Sequence, residues 1–131
     1  MTNRKFKPGF RLSAIDVAVL VLGSVAVAYL SMQISLWLGL GVAFVVAHFF
    51  LFCNVFRVAR PLELGWSAVF VTLVLCCTLF AVPSWPLVFA LTLPATIAVI
   101  GLELSKASYH GVLWQSINPQ LPDWWEAQLA K

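Results

Sequence analysis

Few side chains in this sequence can do chemistry, and they fall into three groups. The first is a single histidine inside an apolar run, V-A-H-F-F-L-F-C-N-V-F-R, where His48 is followed by Cys53, Asn54 and Arg57. An imidazole can serve as a neutral hydrogen-bonding ring, an axial ligand to haem or a chlorophyll-type pigment, or a protonatable relay or substrate-binding centre. The second group is the vicinal pair Cys76-Cys77, whose thiolates suit soft ions such as Hg(II) or Cu(I). Adjacent helical positions point about 100° apart, so two neighbouring thiols do not converge on one ion without distortion. Cys53 is separated from them by about 13 Å along the helix axis. The third group is a set of charged and amide residues, Asp16, Asn54, Arg57, Arg60, Glu63 and Glu103. It can form an ion-paired collar, the mouth of a substrate or proton path, or a docking surface for a partner. No nucleophile–base pair with a third member, glycine-rich phosphate loop or metal-ligand cluster appears, so an enzyme is not expected.

Composition states where these groups must sit. Of 131 residues, 62% are hydrophobic and 10% charged. A soluble domain carries about a quarter charged residues, so a bilayer is the natural solvent. The net charge of +3 is too small and too dispersed to point to nucleic acid. Three cysteines without a C-x-x-C pattern give neither a disulfide framework nor a zinc signature.

Crossing about 30 Å of hydrocarbon takes about 20 helical residues. Four segments qualify, near 14–36, 39–57, 63–82 and 86–104. Breaks are expected at Gly39-Leu40-Gly41, at Arg60-Pro61 and at Pro83-Ser84-Trp85-Pro86. The basic start followed by Ala26-Val27-Ala28 resembles a cleavable signal. Asp16 interrupts its apolar stretch, however, and hydrophobicity runs on to Trp37, so the segment reads as a membrane span. The expected fold is therefore all-α, a polytopic membrane protein with four transmembrane helices in an up-down-up-down bundle. A basic segment, 1–13, precedes the bundle, 14–104, and a tail, 105–131, follows it.

Lysine and arginine lie before the first helix, between the second and third, and after the fourth. The positive-inside rule then places both termini in the cytoplasm, across a bacterial inner membrane or its equivalent. In this frame His48 is close to the bilayer centre, level with Ser24, Thr72 and Thr96. Asp16 and Glu103 lie just inside the apolar spans and are expected to pair with Arg57 and Arg60. Ser24, Ala28, Ser31 and Ser35 form a small-residue stripe suited to close helix approach, within the chain or with another subunit. Pro94, flanked by Thr92 and Thr96, is expected to bend the fourth helix. The tail is too polar and proline-rich for a fifth span. Its Trp114, Trp124 and Trp125 suit the headgroup zone or a partner surface, with a short helix starting near Asp123.

Three functions follow as expectations. The first is a small accessory subunit of a respiratory, photosynthetic or transport complex, partnered by the lipid bilayer and by other membrane subunits or copies of itself. The second is an oligomeric transporter or channel with a midplane histidine. The third is a haem- or chlorophyll-type pigment holder through His48.

Overall fold

The computed structural model describes residues 5–131, so Arg4 of the basic segment lies outside the described residues. The chain is all-helical among the described residues. Four helices are long and apolar enough to cross a membrane: α1 Ala14–Gln33, α2 Leu36–Phe50 extended by a π-helical turn Leu51–Val55, α3 Arg60–Phe80 and α4 Trp85–Leu104. Two short helices follow, α5 Trp114–Ile117 and α6 Leu121–Leu129. The last begins two residues before Asp123, with Pro122 in its first turn, where a missing N–H costs nothing.

The expected break at Gly39-Leu40-Gly41 is not a break. The chain turns instead at Ile34-Ser35, and both glycines are buried inside α2. Their role is packing. A Cβ on Gly39 would lie 1.8 Å from Ser31 Oγ, and one on Gly41 would lie 3.3 Å from the Trp85 ring. At the other end of the same contact, a Cβ on Gly23 would lie 2.9 Å from a Val46 methyl. Small residues thus let α1 and α2 approach as an antiparallel hairpin, the usual means of helix association where lipid removes the hydrophobic drive. Of the expected stripe, Ser31 packs against Gly39 of α2 and Ser35 is the N-cap residue of α2, whereas Ser24 and Ala28, farther along the stripe, are exposed.

α3 and α4 form the second hairpin. The two hairpins meet through large rings rather than close backbone approach. Phe44 of α2 lies 5.5 Å from Phe70 of α3 and 5.0 Å from Phe89 of α4, centroid to centroid. Trp66 and Phe70, one turn apart on α3, stack with their ring planes parallel within 4°. The core is completed by Phe52, Cys77, Val88 and Val99. α4 runs as one helix through Pro94, with the Thr92 hydroxyl donating to the Val88 carbonyl at 2.7 Å.

α1 starts with a capping box. Asp16 N–H donates to Ser13 Oγ at 3.3 Å, while Ser13 N–H and Oγ–H donate to Asp16 Oδ2 at 2.7 and 2.6 Å. Asp16 is therefore the cap partner of α1, a role written in the sequence as Ser13-Ala14-Ile15-Asp16. Ser13→Ala should lower stability in mild detergent by about 1 kcal/mol. Ser13→Asn, which can cap the same N–H, should recover most of that loss in a thermal melt.

Candidate functional site

Two arrangements gather the polar residues, one in the middle of the helices and one at their charged end. In the middle, the His48 ring is 8% exposed. Its Nδ1 lies 2.8 Å from the Phe44 carbonyl one turn back, and its Nε2 lies 3.0 Å from Thr96 Oγ1 on α4. A carbonyl only accepts, so Nδ1 carries the proton of the neutral ring and Nε2 accepts from the Thr96 hydroxyl. The same hydroxyl oxygen accepts the Trp66 indole N–H at 2.8 Å. One oxygen thereby ties α2, α3 and α4 together. The imidazole lies against the Trp66 ring at 4.6 Å and 19°, with Phe44 at 4.2 Å and Phe52 edge-on at 5.6 Å.

This geometry bears directly on the chemistry available to His48. Both ring nitrogens are engaged, and the faces are covered by aromatic side chains of the same chain. A haem or chlorophyll-type macrocycle would need Nε2 and an open flank, so these residues do not fit such a group. Of the residues placed at mid-depth by sequence, only His48 and Thr96 come together. Ser24 and Thr72 are exposed and donate to their own helices, to the Leu20 and Ala68 carbonyls, each at 2.7 Å. Trp66 was not foreseen. The available signal was its spacing with Phe70 and Cys77, an apolar stripe at four- and seven-residue intervals.

At the charged end, the terminal carbonyls of α2 need partners outside the helix. The π-helical turn closes on Phe56 N–H to the Leu51 carbonyl, and Val58 N–H donates to the Phe52 carbonyl at 2.7 Å. The Asn54 and Val55 carbonyls accept from Arg11 N–H at 3.2 Å and Val112 N–H at 2.8 Å. The amino-terminal segment and the tail are thus laced onto the end of α2, and Gly9 N–H to the His110 carbonyl at 2.7 Å joins them to each other. Asn54 adds a side-chain bond from Nδ2 to the Arg11 carbonyl. It is 1% exposed, and its Oδ1 is buried without a partner. Gly111 permits the tail's approach, since a Cβ there would lie 2.5 Å from the Phe56 carbonyl oxygen.

The collar is present as a cluster, but its pairing differs from expectation. Among the described residues the one ion pair is Lys106–Glu103 at 2.9 Å. Glu103, 3% exposed, also accepts from Ala59 N–H at 3.2 Å. Its carboxylate therefore faces the amino end of α3, where the helix dipole favours negative charge. Glu63 accepts from the Cys53 thiol at 3.4 Å. Arg57 does not pair with Asp16 or Glu103. Its guanidinium donates to the Lys7 carbonyl, and its backbone adopts φ 50°, a left-handed conformation unusual for arginine. Burial, and then the neighbouring Arg11 charge, hold its pKa below the ordinary arginine value, although an arginine stays protonated at neutral pH. Arg60 is exposed at the start of α3.

The tail is bound by its own chain. Phe6 packs between Trp114, edge-on at 5.9 Å, and Trp125 at 5.5 Å. The Tyr109 hydroxyl donates to the Val112 carbonyl at 2.7 Å, and burial, with the Glu103 charge, raises its pKa. Trp124 is half-buried beside Asn118 and Asp123. Of the two thiols on α3, Cys77 is a core residue and Cys76 is half-buried. Groups of three or more His, Cys, Asp or Glu able to hold a metal are absent among the described residues. Comparison with models of protein families, with curated proteins and with solved structures finds no match to this chain.

Proposed function

We propose that this chain is an accessory subunit of a larger inner-membrane assembly, of respiratory, photosynthetic or transport type. It crosses the bilayer four times, up-down-up-down, with both ends in the cytoplasm. The gathering of Lys5, Lys7, Arg11, Arg57, Arg60 and Lys106 at one end of the helices supports that orientation, because the turns at the other end carry no charge.

The observation that carries the reading is α1. Among the described residues, it alone of the four long helices contributes none that is buried. It lies at the edge of the bundle against α2. Its outer face presents Val21, Ser24, Val25, Ala28 and Met32. Two small residues one turn apart on an otherwise large-residue face invite a helix from another subunit. The single ionisable group at mid-depth is meanwhile used to fasten α2 to α4, which leaves it a packing role rather than a conducting one.

Purification from native membranes in mild detergent should bring down other membrane subunits in fixed ratio. Ser24→Leu with Ala28→Leu should release them while leaving the melting of the chain itself unchanged. Recovery of copies of this chain alone would identify self-association, and a lone monodisperse chain would overturn the proposal.

A further inference from the structure

The amino-terminal segment does more than cap the bundle. Together with Arg57 and the tail it encloses a cavity of about 610 Å³, whose lining includes Lys5, Phe6, Lys7, Arg11, Arg57 and Trp125 and no carboxylate. A second cavity of about 470 Å³ adjoins it through Arg11, Arg57 and His110. It also holds two acids, Asp16 bonded to Ser13 and Glu63 bonded to the Cys53 thiol, and neither lies within ion-pair distance of a cation among the described residues. Four cations, three from the amino-terminal segment and Arg57 from the end of α2, therefore converge, and among the described residues no counter-charge lies within ion-pair distance of them. Arg57 is brought there by a left-handed backbone, a conformation unfavourable for a residue with a Cβ. Like charges gathered in this way, with Arg57 itself half-buried, are unfavourable unless an anion joins them.

We propose that this cavity binds a phosphate group, and that in the membrane it receives the phosphate of an anionic lipid headgroup. Two guanidiniums supply planar, paired donors that match phosphate oxygens, and two ammonium groups supply point charge. The position fits the source. In a four-span arrangement the cavity lies at headgroup level, where basic pockets bind anionic headgroups. Phe10 and Leu12, which line the cavity, expose about half their surface, 54% and 52%, and offer apolar contact to an acyl chain. The inference rests on the membrane reading but not on the accessory-subunit reading.

The test is native mass spectrometry of the whole chain with phosphatidylglycerol and phosphatidylcholine supplied at equal concentration. Phosphatidylglycerol should be retained at least tenfold more strongly, as a single adduct. Arg11→Gln combined with Arg57→Asn should abolish the preference; asparagine tolerates the left-handed backbone, so the loss reports charge. Lys131→Gln, the same charge change as Lys7→Gln but at the chain end, should leave it intact. Lys7→Gln alone, a milder change, should weaken it several-fold and serves if the double variant does not fold. A parallel titration with inorganic phosphate separates the sources. Phosphate binding lost in the same variants, with no preference between the lipids, would assign the site to a soluble phosphate. No preference and no phosphate binding, or a preference unchanged by the variants, would overturn the proposal. Insertion into phosphatidylcholine nanodiscs is scored beside it. A chain that inserts but shows neither selectivity nor phosphate binding sinks this inference alone, whereas failure to insert sinks the membrane reading.

Discussion

Thr96→Val should destabilise the folded chain by about 2–3 kcal/mol, more than His48→Phe. Valine has nearly the shape of threonine, so packing is preserved and only the hydroxyl is lost. That hydroxyl is the acceptor for Trp66 Nε1 at 2.8 Å and the partner of His48 Nε2 at 3.0 Å. Its removal leaves two buried polar groups unmatched, each costing about 1–3 kcal/mol. Hydrogen bonds between membrane helices are individually worth about 0.6–2 kcal/mol, which places the sum toward the lower end. His48→Phe is different. Thr96 can turn its hydrogen to the Thr92 carbonyl, 3.2 Å away, and still accept from Trp66. A loss of about 1 kcal/mol or less follows, because an apolar ring then replaces both a polar group and its need for a partner. Unfolding in a graded detergent mixture measures both. A larger loss for His48→Phe than for Thr96→Val would show that the imidazole, not the hydroxyl, is the hub.

The second large effect is expected at Gly39. Alanine there would place a Cβ 1.8 Å from Ser31 Oγ and 2.9 Å from the Ser31 backbone nitrogen. The serine side chain can rotate aside, but the backbone cannot, so α1 must move away from α2. Overpacking of this kind costs about 1–3 kcal/mol. Alanine's better helix propensity returns up to about 1 kcal/mol, and the net change should still be destabilising. Gly65→Ala in α3 is the control, because nothing lies within 4 Å of its Cβ; it should be neutral or slightly stabilising. Ser31→Gly added to Gly39→Ala should restore part of the loss, since it removes the closest clash and leaves the backbone one. Equal effects of the two alanine substitutions would show that α1 and α2 are not in close contact.

These two positions also mark what the sequence could and could not convey. Hydrophobic run length located four spans, because the length needed to cross hydrocarbon is set by the bilayer rather than by tertiary packing. The first connection was misplaced because glycine has two uses. In water it punctuates turns, whereas between membrane helices it permits close approach, and Gly39 and Gly41 do the second. The true turn, Ile34-Ser35, lacks glycine and proline, and its one signal is Ser35, the N-cap residue of α2. A hydrogen bond between His48 and a Ser or Thr of a neighbouring helix was legible, since a mid-depth imidazole needs a partner and few were available. Trp66 was not, because its indole could have satisfied itself at several depths. The charged end was legible as a cluster but not in its pairing. Asp16 is taken by the local Ser13 cap, which needs no long-range ordering. Glu103 is taken by the Ala59 N–H and Lys106. Arg57 is thereby left facing Arg11 in a cavity that no linear pattern would reveal.

The central claim is that four crossings put both chain ends, and the basic cavity they build, on one face of the membrane. Single cysteines introduced by Lys7→Cys, Lys131→Cys and Ser84→Cys, in a background lacking Cys53, Cys76 and Cys77, can be labelled with a membrane-impermeant maleimide in oriented vesicles. Positions 7 and 131 should react from the same side and position 84 from the other. Reaction of 7 and 131 from opposite sides would contradict the account.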